Sequence, residues 1–143
     1  MKVHYLDPSA WVKRYFREEG SDEIRAFFLA SPNLVCCRLG FLEVVATIAR
    51  KGRGEKLSSE MTQELLDEAV SNFERFTVIP ADELRISHAT ELALRHRLRT
   101  MDSLHLACAL SLPRNDEIIL VSSDLELLDA ASKEGLPTLN PRD

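Results

Sequence analysis

The feature that most constrains this chain is an alternation of short, largely apolar runs with longer stretches of helical periodicity. Val3 to Leu6, Leu34 to Cys37, Phe76 to Ile79 and Ile118 to Val121 read as strands, with a short last strand near Thr138-Leu139. Runs that are apolar on both faces belong to strands covered on both sides. Helical patterns between such runs act as crossover connections, which make neighbouring strands parallel. The expected architecture is therefore α/β, a parallel sheet with helices on both faces.

Local signals divide the intervening segments. Pro8 to about Glu18 reads as a helix with proline in its first turn and Gly20 closing it. Ser21 is positioned to cap a second helix through about Ala30. Leu39 to Arg50 is a mostly apolar helix, followed by Lys51-Gly52-Arg53-Gly54, which reads as a basic, flexible loop. Ser58 or Ser59 starts a helix to about Arg75, and Pro80 stops the third strand. Asp82 to His96 is helical, and Thr100 is placed to cap a helix through Leu110. Ser123 followed by Glu126 has the spacing of a capping box.

At 143 residues the chain is expected to form one domain over residues 1–143. No run approaches the roughly 18 apolar residues of a membrane span. Met1 to Asp7 reads as a strand and not as a signal peptide. Three cysteines, two of them adjacent at Cys36 and Cys37, do not suit a disulfide framework and match no zinc spacing. Buried thiols in a reducing, cytoplasmic setting are the expectation. A net charge of −5 argues against a general nucleic-acid coat protein, but it says little about a local site that divalent ions would neutralise.

In parallel sheets of this kind, ligands bind beyond the carboxyl ends of the strands, where the strand order reverses. Asp7 directly follows the first strand, and Asp124 follows the fourth by three residues. Asp102 falls in the first turn of its helix. Acids at helix starts also serve simply as caps, so position alone leaves both roles open for Asp102 and Asp124. Glu43 lies in Leu39-Gly40-Phe41-Leu42-Glu43-Val44-Val45-Ala46-Thr47-Ile48-Ala49, where almost every neighbour is apolar. A buried glutamate needs a partner, and a metal ion is one. Periodicity equally allows Glu43, Thr47 and Arg50 to form one solvated stripe. Carboxylates converging at one edge would suit Mg²⁺ or Mn²⁺ and phosphodiester chemistry.

These segments carry a resemblance. Tyr5-Leu6-Asp7-Pro8-Ser9-Ala10-Trp11 looks like the opening of a PIN-domain nuclease, and Phe41-Leu42-Glu43-Val44-Val45-Ala46 resembles that family's second acidic motif. Leu98-Arg99-Thr100-Met101-Asp102-Ser103-Leu104-His105-Leu106-Ala107 resembles the third. Val121-Ser122-Ser123-Asp124 with the following helix, then Gly135 to Pro141, resembles the fourth motif and the closing strand. The likeness covers nearly the whole chain, and within the family it is greatest to the VapC-type toxins. It implies a three-layer α/β/α sandwich around a parallel, roughly five-stranded sheet. It further implies that Asp7, Glu43, Asp102 and Asp124 hold one or two Mg²⁺ or Mn²⁺ ions and hydrolyse RNA to 5′-phosphate and 3′-hydroxyl ends. Family members usually form homodimers, and toxin members are blocked by a cognate antitoxin.

Ser9 matches the family's small hydroxyl residue and is expected to orient Asp7 or a water. Ser122 stands where the family more often has threonine, and Pro8 departs from the threonine or serine of many members. Lys13, Arg14, Arg50, Lys51 and Arg53 are candidate RNA contacts, with an ordinary solvated surface as the plainer alternative. His105 lies one turn from Asp102 and could face the site, but it fits the family's Leu-His-Leu-Ala pattern and reads as structural, while His4, His88 and His96 show no ligand spacing. Trp11 is a candidate for base stacking, or for the core or a dimer contact. Alternatives to a toxin are a PIN-type processing or decay nuclease and a catalytically silent PIN scaffold. A phosphoacceptor receiver would need an acid pair after the first strand and a lysine after the last, and a haloacid-dehalogenase-type phosphatase would need Asp-x-Asp. Asp7-Pro8-Ser9 supplies neither.

Overall fold

The computed structural model of the chain describes residues 1–30 and 33–143. Five strands, β1 (Lys2–Leu6), β2 (Asn33–Cys37), β3 (Thr77–Ile79), β4 (Glu117–Val121) and β5 (Thr138–Leu139), form one sheet in the order β3-β2-β1-β4-β5. Every pairing is parallel, with Leu6 opposite Val121 and Val121 opposite Leu139. The chain builds outward from β1 to β3 on one side, then returns to β4 on the other. The order therefore reverses between β1 and β4, and the carboxyl ends of these two strands flank the crevice.

Seven α-helices lie among the described residues: α1 (Pro8–Trp11), α2 (Ser21–Leu29), α3 (Arg38–Gly54), α4 (Ser59–Phe73), α5 (Glu83–His96), α6 (Thr100–Leu110) and α7 (Leu125–Lys133). Alternation along each strand sends side chains to two separate cores. Val3, Tyr5, Val35, Cys37 and Leu120 pack with Leu92, Leu106 and Leu127 of α5, α6 and α7. Leu6, Leu34, Cys36 and Val121 pack with Trp11, Ile24, Val44 and Ile48 on the opposite face. The expected three-layer sandwich is thus present. No helix among the described residues is long and apolar enough to cross a membrane.

Several local expectations change. The segment 51–54 is not a loop, because α3 runs through Gly54. A Cβ at Gly52 would lie 2.7 Å from Thr62 Oγ1, so this glycine permits close approach of α4 rather than breaking α3. The helix after β1 is only one turn of α-helix and a 3₁₀ turn at Val12–Arg14. It stops because the chain bends back: Ser21 Oγ donates to the Phe16 carbonyl and accepts from the Glu18 amide. Gly20, at φ +94°, occupies the cap position of α2 in place of Ser21, and a Cβ there would lie 2.9 Å from the Pro141 backbone. Thr100 is the first residue of α6 and not its cap, a position held by Arg99 without side-chain capping. The Ser123–Glu126 capping box does not form; Asp124 caps α7 instead. Ser58, one of the two serines expected to start α4, caps it by accepting from the Met61 amide, and Asp82, read as the first helical residue, is the cap of α5, accepting from the Arg85 amide.

Candidate active site

Asp7 is the centre of the crevice. Its amide donates to the Val121 carbonyl at 3.0 Å, continuing the β1–β4 ladder one residue past β1 and fixing Asp7 beside the end of β4. Although it occupies the cap position of α1, its side chain does not cap. Oδ2 instead accepts hydroxyls from Ser9 at 2.5 Å and Ser122 at 2.9 Å. Each hydroxyl accepts a backbone amide in turn: Ser123 N donates to Ser9 Oγ and Asp124 N to Ser122 Oγ, both at 3.0 Å. With their lone pairs engaged by amides, both hydroxyls aim their protons at the carboxylate. The remaining oxygen, Oδ1, faces His105 Nε2 at 3.7 Å. Asp7 is 4% exposed, so hydrogen bonding replaces most of its lost solvation.

Asp124 has two roles open to it at once. Oδ1 accepts the Glu126 and Leu127 amides as the cap of α7, while Oδ2 faces the Arg99 guanidinium at 3.8 Å. Asp102, in the first turn of α6, lies 3.9 Å from the same guanidinium. Burial pushes the Asp102 carboxyl up to about 6, and the charges of Asp124 and Asp7 add to that push. These three acids therefore feel one another, and the exposed Arg99 is a loose counter-ion for two of them. Glu43 projects from α3 and is drawn to His105, whose Nε2 lies 2.6 Å from Oε1. An open depression of about 640 Å³ runs between Glu43 and Asp102, lined also by Leu98, Arg99, Thr100 and Met101.

Among the described residues, no three His, Cys, Asp or Glu side chains form a ready-made metal-binding group. The donor set nevertheless fits a hard divalent cation. It is all oxygen, it crowds negative charge around Asp102, and its cationic partner Arg99 is exposed and 3.8–3.9 Å away.

Ser9 and Ser122 both donate their hydroxyls to Asp7. Lys13, a candidate RNA contact, is instead buried and pairs with Glu18 at 2.9 Å, which does not leave its ammonium open to solvent. Lys51 joins the same glutamate at 3.2 Å. Arg14 pairs with Glu68 at 2.5 Å. Arg50 and Arg53 are exposed on α3. Trp11 is fully buried and stacks on Phe76 at 4.3 Å, so it is a core residue. Arg99 escaped the sequence reading, and His105, favoured there as structural, lies against Glu43 and Asp7. The signal available for Arg99 was its spacing of three residues from Asp102, the same spacing that places His105 on that side of α6.

The model of the PIN domain family matches residues 4–133. Ribonuclease VapC45 of Mycobacterium tuberculosis is 33% identical over 115 residues, spanning 78% of this chain and 77% of that protein. Among solved structures, PAE2754 from Pyrobaculum aerophilum superposes with a TM-score of 0.70 over 96% of this chain and 83% of that one, at 17% identity. A toxin–antitoxin complex from Klebsiella pneumoniae superposes at 0.67 over 96% and 97%, at 12% identity. At such identities the solved structures establish a shared fold. The family model and the mycobacterial relative go further, and by them this chain belongs to the PIN-domain family.

Proposed function

We propose that this protein is a Mg²⁺- or Mn²⁺-dependent endoribonuclease, a single domain over residues 1–143, and the toxin of a VapBC-type toxin–antitoxin pair. The observation that carries the reading is the buried Asp7 carboxylate, held by Ser9 and Ser122 at the β1–β4 crevice with Asp102 and Asp124 beside it. Asp7, Glu43, Asp102 and Asp124 would hold the ion. When bound, it supplies Lewis acidity to the phosphodiester and to the attacking water.

The protein's own groups do the rest. Ser9 and Ser122 orient Asp7 by donating to Oδ2. The cap interaction at α7 fixes Asp124 through its Oδ1. Arg99 stands at the mouth, where a phosphate would enter, and exchanges its carboxylate partners for that phosphate. Cleavage leaves 5′-phosphate and 3′-hydroxyl ends.

The name of the mycobacterial relative supports RNA as substrate, and the Klebsiella complex supports an antitoxin partner. Homodimer formation and work in the cytoplasm belong to the same reading, and the three free, buried cysteines agree with a reducing compartment.

Cleavage of a mixed RNA pool tests the proposal. Purified protein with Mn²⁺ is expected to cut and leave 5′-phosphates, whereas EDTA or Asp7→Asn stops cleavage. Cutting that persists in EDTA would overturn it.

A further inference from the structure

Glu43 stands apart from the other three acids. Asp7, Asp102 and Asp124 sit at strand ends or helix starts, where hydrogen bonds or short side chains hold them. Glu43 is a longer side chain one turn into α3, about one-third exposed, and it must reach across the carboxyl edge of the sheet. Its helix packs on the face that holds Trp11, whereas α6, which carries Asp102 and His105, packs on the other.

His105 closes that gap. Its ring is 1% exposed and lies against the first turn of α3, where a Cβ on Gly40 would meet Cε1 at 3.4 Å. Nε2 hydrogen-bonds Glu43 Oε1 at 2.6 Å, and Nδ1 lies 2.7 Å from the Tyr5 hydroxyl. Tyr5 is fully buried, and its neutral phenol has the proton to donate. With Tyr5 donating to Nδ1, a neutral ring must carry its hydrogen on Nε2; a protonated ring carries one there too. Nε2 therefore donates to Glu43 in either state. The same nitrogen lies 3.7 Å from Asp7 Oδ1, so the imidazole stands between the two carboxylates.

We propose that His105, braced by Tyr5, is a positioning residue that draws Glu43 across the sheet edge toward Asp7 and sets its carboxylate for a divalent ion. The bond engages Oε1 and leaves Oε2 for a ligand. Glutamate has several rotatable bonds, and ordering them in advance removes a cost that ion binding would otherwise carry. The inference rests on the functional reading above and concerns how one of its acids is aimed.

The test is a calorimetric Mn²⁺ titration of the full chain without RNA. Removing the partner of a metal-ligating group typically weakens binding by roughly 10–100-fold. His105→Asn, which lacks a donor at the Nε2 position, is expected to weaken Mn²⁺ by about 10-fold. His105→Gln places an amide nitrogen near Nε2 and is expected to recover most of that loss. In a Glu43→Gln background, His105→Asn should cost almost nothing more, because the two residues act through one interaction. Unchanged affinity in His105→Asn, or full additivity with Glu43→Gln, would overturn the proposal while leaving the metal site standing. No Mn²⁺ binding by the unaltered protein would overturn both. Should His105→Asn fail to fold, Tyr5→Phe keeps the ring and removes its brace. It is expected to weaken Mn²⁺ by a few-fold only when Glu43 is present, and equal weakening in both backgrounds would refute the role.

Discussion

Asp7 and Lys13 leave the same short segment after β1 and enter charged clusters of opposite character. Lys13 is buried, but Glu18 reaches it at 2.9 Å and is shared with Lys51 at 3.2 Å. Lys51 also lies over the Phe16 ring at 5.2 Å. Both cations there reach the one Glu18 carboxylate through its two oxygens, and the cluster ties the segment after α1 to the far end of α3. At the sheet edge, by contrast, Asp7, Asp102 and Asp124 crowd together, and the cation nearest two of them is the exposed Arg99 at 3.8–3.9 Å. A cluster in which every charge is matched by direct contact with an opposite one holds the fold together. One with surplus negative charge costs stability and is retained for what it binds.

Neutralising Asp7 should separate the two clusters most sharply. Asp7→Asn is nearly isosteric, and its amide oxygen can still accept the Ser9 and Ser122 hydroxyls. RNA cleavage is expected to fall by at least about 100-fold, corresponding to roughly 3 kcal/mol of transition-state stabilisation. The melting temperature of the metal-free protein should not fall. A variant that cuts RNA at the unaltered rate would refute the assignment.

Glu18→Gln makes the complementary change in the matched cluster. It leaves the buried Lys13 ammonium without a carboxylate, a defect worth about 3–5 kcal/mol when the pair is fully buried. Glu18 is 30% exposed, so solvent reduces the expected loss to about 2 kcal/mol, or some 5 °C in melting temperature. Burial pushes the Glu18 carboxyl up, but the hydrogen bonds and charges of Lys13 and Lys51 outweigh it and hold the group below the usual range. Its contribution to stability is thus present above the ordinary carboxylate range and is lost as pH falls through the lowered value. Thermal melts across pH check this, and cleavage per folded molecule should be unchanged.

The contrast also marks how far the residues could be read before the fold was known. Asp7 and Asp124 were legible because a strand's carboxyl end is a one-dimensional feature: an apolar run, then an acid. The parallel sheet was legible for the same reason. The charge state of each cluster was not, because it depends on side chains from distant segments meeting. Lys13 looks like any surface lysine until the chain bends at Ser21 and brings Glu18 back over it. His105 looks structural until Tyr5 and Glu43, residues 100 and 62 positions away, approach its two nitrogens. Local chemistry misled where one residue type serves two purposes. Gly52 reads as a loop signal, but it serves contact with Thr62. Ser123 and Asp124 are both good caps, and position relative to β4 decides between them.

Asp102 gives a smaller effect, of opposite sign to that of Glu18. Its carboxyl is pushed up to about 6 by burial first and then by Asp124 and Asp7. A raised carboxyl binds its proton more tightly in the folded chain, so the metal-free protein loses stability as pH rises through that value. Asp102→Asn removes the penalty. It is expected to stabilise the metal-free protein at pH 7 by about 1 kcal/mol, after discounting for solvent screening, and to flatten the wild-type loss between about pH 4 and 6. Millimolar Mn²⁺ should raise the melting temperature of the wild type and do so much less in the variant. Loss of stability on substitution, measured without metal, would place Asp102 with the matched cluster instead.

Arg50 and Arg53 give the smallest expected effect and test how far the acidic edge relies on basic surroundings to hold RNA. Both are exposed on α3, the helix that carries Glu43, whereas Arg14 is held by Glu68. Phosphate contacts of this kind set affinity without reading sequence, and each released counter-ion contributes to the salt dependence. Arg50→Gln with Arg53→Gln should raise KM for RNA by a few-fold, leave kcat nearly unchanged, and lower the slope of log KM against log salt. Arg14→Gln should leave KM as it was. If the double variant behaves like the wild type across a salt series, RNA approaches the crevice from the Arg99 side, and the basic face of α3 belongs to ordinary solvated surface.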